Sequence, residues 1–231
     1  MSAPKSDRAF FDAIARRYDR VYAETGASSK AGLATVVSLL AGKPRVLVLG
    51  VGTGRELSAL LDAGHVPTGL DFSTEMLALC GKRTRPVPLV QADFWEPLPF
   101  PDGSFDAAVA LHGTLGHPPE DERSLAALAG ELLRVLSRPG LCIFEVPTRG
   151  MADLIPTRLE LADGRRMTRE GARLLHEDTV ANVSIEARLL PAETYADAFT
   201  RAGFVASITM QPDMVARLAC ALACASGRRL S

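Results

Sequence analysis

The sequence predicts an α/β domain: a mostly parallel sheet crossed by helices, with a small antiparallel β insertion before the sixth strand. Two observations carry the core of that expectation. Four apolar strand-formers, 46–49, run directly into Gly50-Val51-Gly52-Thr53-Gly54 and then into a helical composition with Leu57, Leu60 and Leu61. A continuous apolar run bounded by glycines fits a strand buried on both faces. Downstream, short apolar runs with distinctive polar tips alternate with amphipathic stretches as far as Val146, the pattern of a parallel sheet crossed by helices.

The glycine stretch also indicates a ligand cradle. Its glycines permit a tight turn and a close backbone approach, and the helix that follows presents its N-terminus to the same spot. A dinucleotide fingerprint, G-x-G-x-x-G, would need glycine at position 55, where the chain has Arg55.

Composition narrows the class. The 231 residues suffice for one sizeable α/β domain, 1–231, with a full core. Apolar residues are 47% and charged residues 23%, the profile of a globular domain in water. The net charge of −1 provides no global field for nucleic acid or anionic lipid. The first twenty residues carry charges through their only apolar patch, unlike a signal peptide, so a cytoplasmic location is expected. The nearest approach to a membrane span, 214–225, is too short and contains Arg217. Cys80, Cys142, Cys220 and Cys224 are scattered, which favours buried free thiols over disulfides or a metal site.

In chain order, 8–24 reads as an amphipathic helix with Phe10, Phe11, Ile14, Tyr18, Val21 and Tyr22 near one face, and 30–40 as a second helix ending at Gly42. After the glycine turn, a helix over 55–62 ends at Gly64, suited to a C-cap. A short strand, 65–70, delivers Asp71 to its tip, and Ser73 reads as the N-cap of a helix over 74–80 that includes Met76. Asp71 could accept from both ribose hydroxyls of an adenosine ligand, or simply begin that helix. A third strand, 87–91, ends in Ala92-Asp93-Phe94-Trp95, which on the residues alone reads as a capping Asp with core aromatics. The fourth strand, 105–111, ends in Leu111-His112-Gly113-Thr114-Leu115-Gly116-His117. A long helix over 120–137 leads to a fifth strand, 141–146, with Glu145 near its end. From Thr148 onward polar and apolar residues alternate, and Asp163-Gly164 is a hairpin-type turn. We expect an antiparallel insertion over 150–182 that merges, through 183–190, into strand six. A helix over 191–201, a terminal strand from Phe204 to Met210 and a last helix over 212–225 complete the chain.

Four ordered passages, spread over most of 10–211, resemble one family. Gly50-x-Gly52-x-Gly54 resembles motif I of the class I S-adenosylmethionine-dependent methyltransferases. Leu98-Pro99-Phe100-Pro101-Asp102-Gly103-Ser104-Phe105-Asp106 resembles the segment leading into strand 4 of many small-molecule members, including the ubiquinone/menaquinone-biosynthesis type. LLRVLSRPGLCIFEVP is similar to the family's approach to strand 5, with Leu141 at an expected glycine, and Ala202-Gly203-Phe204 to its start of the terminal strand. The resemblance implies a Rossmann-like seven-stranded sheet with helices on both faces and a reversed last strand, and S-adenosyl-L-methionine as cofactor, its adenine amino group on Asp93 and its ring near Phe94. It places Gly50, Val51, Gly52, Thr53, Gly54, Asp71, Phe72, Met76, Asp93, Phe94, Leu111 and His112 around that cofactor, and the N-terminal helices, 8–42, with Tyr18, over the pocket. One departure matters: the family usually has an acidic residue, which helps hold the cofactor's methionine end, where this chain has Val48.

Methyl transfer from a sulfonium needs positioning and exclusion of water more than side-chain chemistry. A base is needed only where the acceptor loses a proton, and His112, then His117, are the candidates. Either histidine could instead only hydrogen-bond within its loop. Glu145 could bind an acceptor amine or form a salt bridge, and His65 and His176 read as surface residues. Base-amino methylation of DNA, an RNA substrate and a magnesium-dependent catechol-type reaction are disfavoured by 111–114 and by the absence of a basic patch. A nicotinamide-dependent reductase is disfavoured by Arg55 and by the lack of a Tyr-x-x-x-Lys pair. The expected activity is methyl transfer to a small-molecule acceptor, at O or N rather than C, by a monomer or homodimer without a metal. A catalytically silent domain that keeps the cofactor pocket is the alternative, and Val48 favours it.

Overall fold

The computed structural model describes residues 7–22, 30–116, 123–148, 156–210 and 215–222. Two helices come first, α1 (Asp7–Tyr22) and α2 (Lys30–Leu39). The α/β units follow as β1 (Arg45–Leu49), α3 (Leu57–Asp62), β2 (Val66–Asp71), α4 (Thr74–Arg83), β3 (Leu89–Gln91), β4 (Phe105–Ala110), α5 (Arg123–Val135) and β5 (Leu136–Pro147). Four short strands, β6 (Arg158–Glu160), β7 (Arg165–Glu170), β8 (Arg173–Asp178) and β9 (Val183–Arg188), lead to α6 (Ala192–Arg201), β10 (Phe204–Met210) and β11 (Val215–Leu222).

The main sheet has seven strands in the order β10-β11-β5-β4-β1-β2-β3. Only β11 runs against the others, pairing antiparallel with both β5 and β10. Side chains of β1 alternate between two cores. Leu47 and Leu49 join Phe144, Leu128 and Leu132 of α5 and Phe199 of α6 on one face. Val46 and Val48 join Val36 of α2, Leu40 just after it, and Leu57 and Leu60 of α3 on the other. Burial on both faces explains the unbroken apolar run that marked this strand.

Ser73 caps α4 as expected, its Oγ accepting from the Met76 N–H at 3.1 Å. Asp106, at the start of β4, has a structural place. It accepts from the Arg45 guanidinium, the Arg45 N–H and Ser137 Oγ, and the arginine holds its carboxyl far below the usual range. Cys80, Cys142 and Cys220 are buried free thiols. Burial pushes Cys80 up to about 11 and Cys220 to about 12, leaving both un-ionised and unreactive at neutral pH. Cys224 lies outside the described residues.

Two expectations are corrected. The last helix, 212–225, is absent over its described part: 215–222 is β11, inserted between β5 and β10. Alanine and leucine favour helix, but a strand buried on both faces has no periodicity to betray it, and pairing with two neighbours overrides propensity. The reversed strand is therefore β11 and not 204–210. The second correction concerns 183–190. It does not merge into the main sheet; β9 is the outer strand of a separate antiparallel sheet, β6-β7-β8-β9. Alternate residues of β9 are exposed, which suits one covered face, and Val183 and Ile185 pack beneath Phe10 and Ile14 of α1.

Candidate active site

The C-terminal ends of β1, β2, β4 and β5 meet along one edge of the sheet, where doubly wound folds bind ligands. At the end of β1 the chain turns sharply, with φ of 61° at Gly50, 52° at Gly52 and 82° at Gly54. All three lie in the left-handed region that glycine occupies without strain. Their surroundings differ. A Cβ at Gly50 would lie 2.4 Å from Thr114 Cγ2, and one at Gly54 2.7 Å from Cys80 Sγ, but one at Gly52 would meet nothing within 4 Å. Gly50 and Gly54 let the loop pack against β4's exit and α4. Gly52 leaves backbone open to a ligand.

Asp71, at the tip of β2, is 5% exposed. Its Oδ2 accepts from the Gly52 N–H at 2.8 Å and its Oδ1 from the Ser73 N–H at 2.9 Å, which ties the glycine loop to the start of α4. A carboxylate has about four acceptor sites, so capacity remains for a ligand. Burial outweighs these bonds and pushes the Asp71 carboxyl up to about 6. An acid raised in the fold favours folding below its unfolded value, near 4, and loses that contribution as pH rises through about 6. We expect the stability difference between wild type and Asp71→Asn to fall by about 3 kcal/mol from pH 4 to 7. Urea unfolding of both proteins across that range measures it.

Helix α1 lies against this edge. Thr53 Oγ1 donates to Asp19 Oδ1 at 2.6 Å, and Ser73 Oγ donates to Asp12 Oδ1 at 2.6 Å. Asp12 and Asp19 are seven residues apart and so share a face. That spacing was the available signal, and sequence reasoning passed over it for the aromatic residues. The Phe11 ring lies 5.8 Å from that of Phe72 and 6.4 Å from that of Tyr18. Helix α1 thus meets Phe72 through Phe11 and Thr53 through Asp19, with Tyr18 beside Phe11, whereas Met76, expected at the cofactor, is 1% exposed among Phe10, Ile14 and Ile185.

Beyond β3, Asp93 Oδ1 accepts from the Trp95 N–H at 2.9 Å, a turn-forming bond that leaves its other oxygen available. Phe94 is 8% exposed in the core. Trp95 packs on the Phe94 ring and lines a surface groove with Pro97, Leu128 and Glu131, which supports its reading as a packing residue.

After β4, Leu111 is buried and His112 takes φ 58°. A non-glycine residue there stores strain on the order of 1–3 kcal/mol, a mark of functional positions. His112 Nε2 is buried without a hydrogen-bond partner and stands 3.7 Å from Glu56 Oε2. Its N–H points to Glu145 Oε2 at 3.5 Å. Thr114 Oγ1 donates to the Leu111 carbonyl, and the buried Tyr195 hydroxyl to that of Leu115, fixing this loop against α6. His117 lies outside the described residues. Glu145, 1% exposed, pairs with Arg217 Nη2 at 2.7 Å, so of its two expected roles the salt bridge is the one found. Glu56 and Arg217 went unassigned in the sequence, each a charge within or beside an apolar run.

The arrangement is an open-backboned glycine loop, a buried carboxylate at the neighbouring strand tip and a strained histidine opposite. Residues 47–144 match the family model described as a methyltransferase domain. These residues form a methyltransferase domain. The fold is that of the class I methyltransferases: the CcbJ methyltransferase from Streptomyces caelestis superposes with a TM-score of 0.76 at 18% identity, over 96% of this chain and 100% of that one. An amino pentose methyltransferase from Micromonospora echinaspora, solved with SAM bound, gives 0.65 at 21% identity, over 88% and 95%. The demethylmenaquinone methyltransferase of Beutenbergia cavernae is 40% identical over 141 residues, 59% of this chain and 55% of that one. The chain spans 50–62% of the length of the first curated relatives it matches. The matched methyltransferase domain contains the glycine loop, Asp71, Asp93 and His112, but neither α1 nor Arg217.

No helix among the described residues is long and apolar enough to cross a membrane.

Proposed function

We propose that this protein transfers a methyl group from S-adenosyl-L-methionine to a small-molecule acceptor, at oxygen or nitrogen, by in-line displacement. The observation that carries the reading is the open face of Gly52 beside the buried Asp71 carboxylate at the ligand edge of the sheet. The residues fit the cofactor, since the loop leaves room for close backbone approach and the carboxylate keeps acceptor capacity. When bound, the sulfonium supplies an already activated methyl group.

The chain supplies the rest. Gly50, Val51, Gly52, Thr53 and Gly54 shape the cradle, and Asp71 accepts from the ribose hydroxyls. Asp93, with Phe94 beside it, accepts from the adenine amino group. Leu111 walls the pocket, Tyr18 and Phe72 close it beneath α1, and water is excluded from the transfer. His112, with His117 as the second candidate, accepts the proton of an O–H or N–H acceptor. Residues 1–231 act as a single domain, as a monomer or homodimer in the cytoplasm. In it 8–42 cover the pocket, and the antiparallel insertion, placed at 150–182 by the sequence, bounds the acceptor side.

Transfer of labelled methyl to a panel of acceptors, including amino sugars and demethylmenaquinone, tests the reading. We expect an O- or N-methylated product, and a kcat for His112→Ala lowered roughly 10²-fold with donor KM unchanged. Cofactor binding without turnover on any acceptor would favour the catalytically silent alternative, for which Val48 argues.

A further inference from the structure

Burial separates the two ring nitrogens of His112. The side chain is 16% exposed, but Nε2 is buried without a hydrogen bond, so the exposed part of the ring lies elsewhere. What Nε2 faces is Glu56 Oε2, at 3.7 Å, on a buried residue just before α3. No arginine or lysine among the described residues pairs with this carboxylate. The other ionisable groups around it are Asp71, on which Glu56 acts as a like charge, and the un-ionised Cys80 thiol. The backbone places the ring as well. His112 is held at φ 58°, and its N–H points at Glu145, which is paired with Arg217.

We propose that Glu56 is a positioning residue for His112. It holds the ring with Nε2–H turned to its carboxylate, which makes Nδ1 the nitrogen that takes the acceptor's proton. The proposal rests on the methyl-transfer reading above and deepens it. Neutral imidazole carries one N–H, and the group facing one nitrogen decides which of the two keeps the lone pair. An ionised carboxylate only accepts, so it selects the form with the proton on Nε2. The 3.7 Å separation is longer than a hydrogen bond, and contacts of this kind tighten when ligands fill a site. In the step itself, the acceptor's O–H or N–H bond breaks as the Nδ1–H bond forms. The electron pair stays on the acceptor atom for its bond to the methyl carbon. The ring then carries a positive charge out of bulk water, and the Glu56 carboxylate opposes it.

Two measurements on the full chain test this, and the first needs no acceptor. Nitrogen-15 and proton spectra of the His112 ring are recorded with and without S-adenosylhomocysteine for wild type, Glu56→Gln and Glu56→Leu. His112→Ala assigns the signals, and melting temperatures confirm that each variant is folded. We expect a slowly exchanging Nε2–H in wild type. Glu56→Gln should retain it, because the amide oxygen still accepts, and Glu56→Leu should lose it. The second measurement follows turnover on the acceptor panel above, with S-adenosylhomocysteine affinity by calorimetry. We expect kcat to fall roughly 10-fold in Glu56→Gln and roughly 10²-fold in Glu56→Leu. Affinity for S-adenosylhomocysteine should stay within about twofold of wild type. Glu56→Leu should add nothing to the loss in His112→Ala, since one residue acts through the other.

A wild-type ring protonated on Nδ1 would overturn the proposal, as would an Nε2–H that exchanges equally fast in wild type and Glu56→Leu. Weakened S-adenosylhomocysteine binding with unchanged ring spectra would also overturn it. If wild type bound S-adenosylhomocysteine but turned over no acceptor, the methyl-transfer reading would fail and the base role of Nδ1 with it. The ring spectra would still show whether Glu56 holds His112.

Discussion

Arg217→Leu is expected to cost about 3–5 kcal/mol of stability. Arg217 is 7% exposed and Glu145 1%, and they face each other across β11 and β5 with a 2.7 Å bond. Removing the guanidinium takes the 2.7 Å charged partner from a carboxylate deep in the sheet. The Arg217 guanidinium also reaches the Gly32 carbonyl of α2 at 3.4 Å, so the same change loosens an N-terminal helix. Replacing both partners by leucine removes the stranded charge along with the pair and should recover most of the loss. Chemical denaturation of the single and double variants measures this. Additive destabilisation would contradict a coupled pair.

The loop glycines should separate into two kinds. Gly50→Ala is expected to destabilise the fold by about 2–4 kcal/mol, because left-handed strain adds to a clash. The new methyl would sit 2.4 Å from Thr114 Cγ2, and Thr114 is held by its bond to the Leu111 carbonyl. Gly52→Ala meets no protein atom within 4 Å and should cost only the strain, about 1 kcal/mol. Its effect should fall on ligand affinity, because the methyl enters the space that the cradle leaves for a ligand. Melting curves and titrations on both variants check the division. A Gly52→Ala protein with wild-type affinity would mean that the ligand does not approach this loop.

Much of this was legible in the sequence for physical reasons that can be named. The 46–54 stretch announced both strand and turn, because burial on two faces demands apolar residues and left-handed turns demand glycine. Asp71 was found because a polar residue at a strand tip is visible against an apolar run. What the sequence could not fix was partnership. Its two readings of Glu145 were separated only by Arg217, 72 residues away across an antiparallel pairing. Strand β11 was misread as helix because its register, not its composition, decides its state. Asp12 and Asp19 escaped notice since their partners, Ser73 and Thr53, come from other elements. Glu56 stood next to the motif and carried no assignment until its burial was seen.

The measurement that tests the central claim most directly is calorimetric titration of the wild-type protein with S-adenosylhomocysteine, beside Asp71→Ala and with NADH as control. The account predicts micromolar binding of S-adenosylhomocysteine, its loss in Asp71→Ala at unchanged fold, and no heat with NADH. Absence of S-adenosylhomocysteine binding by the folded wild type, or binding of NADH in its place, would contradict it.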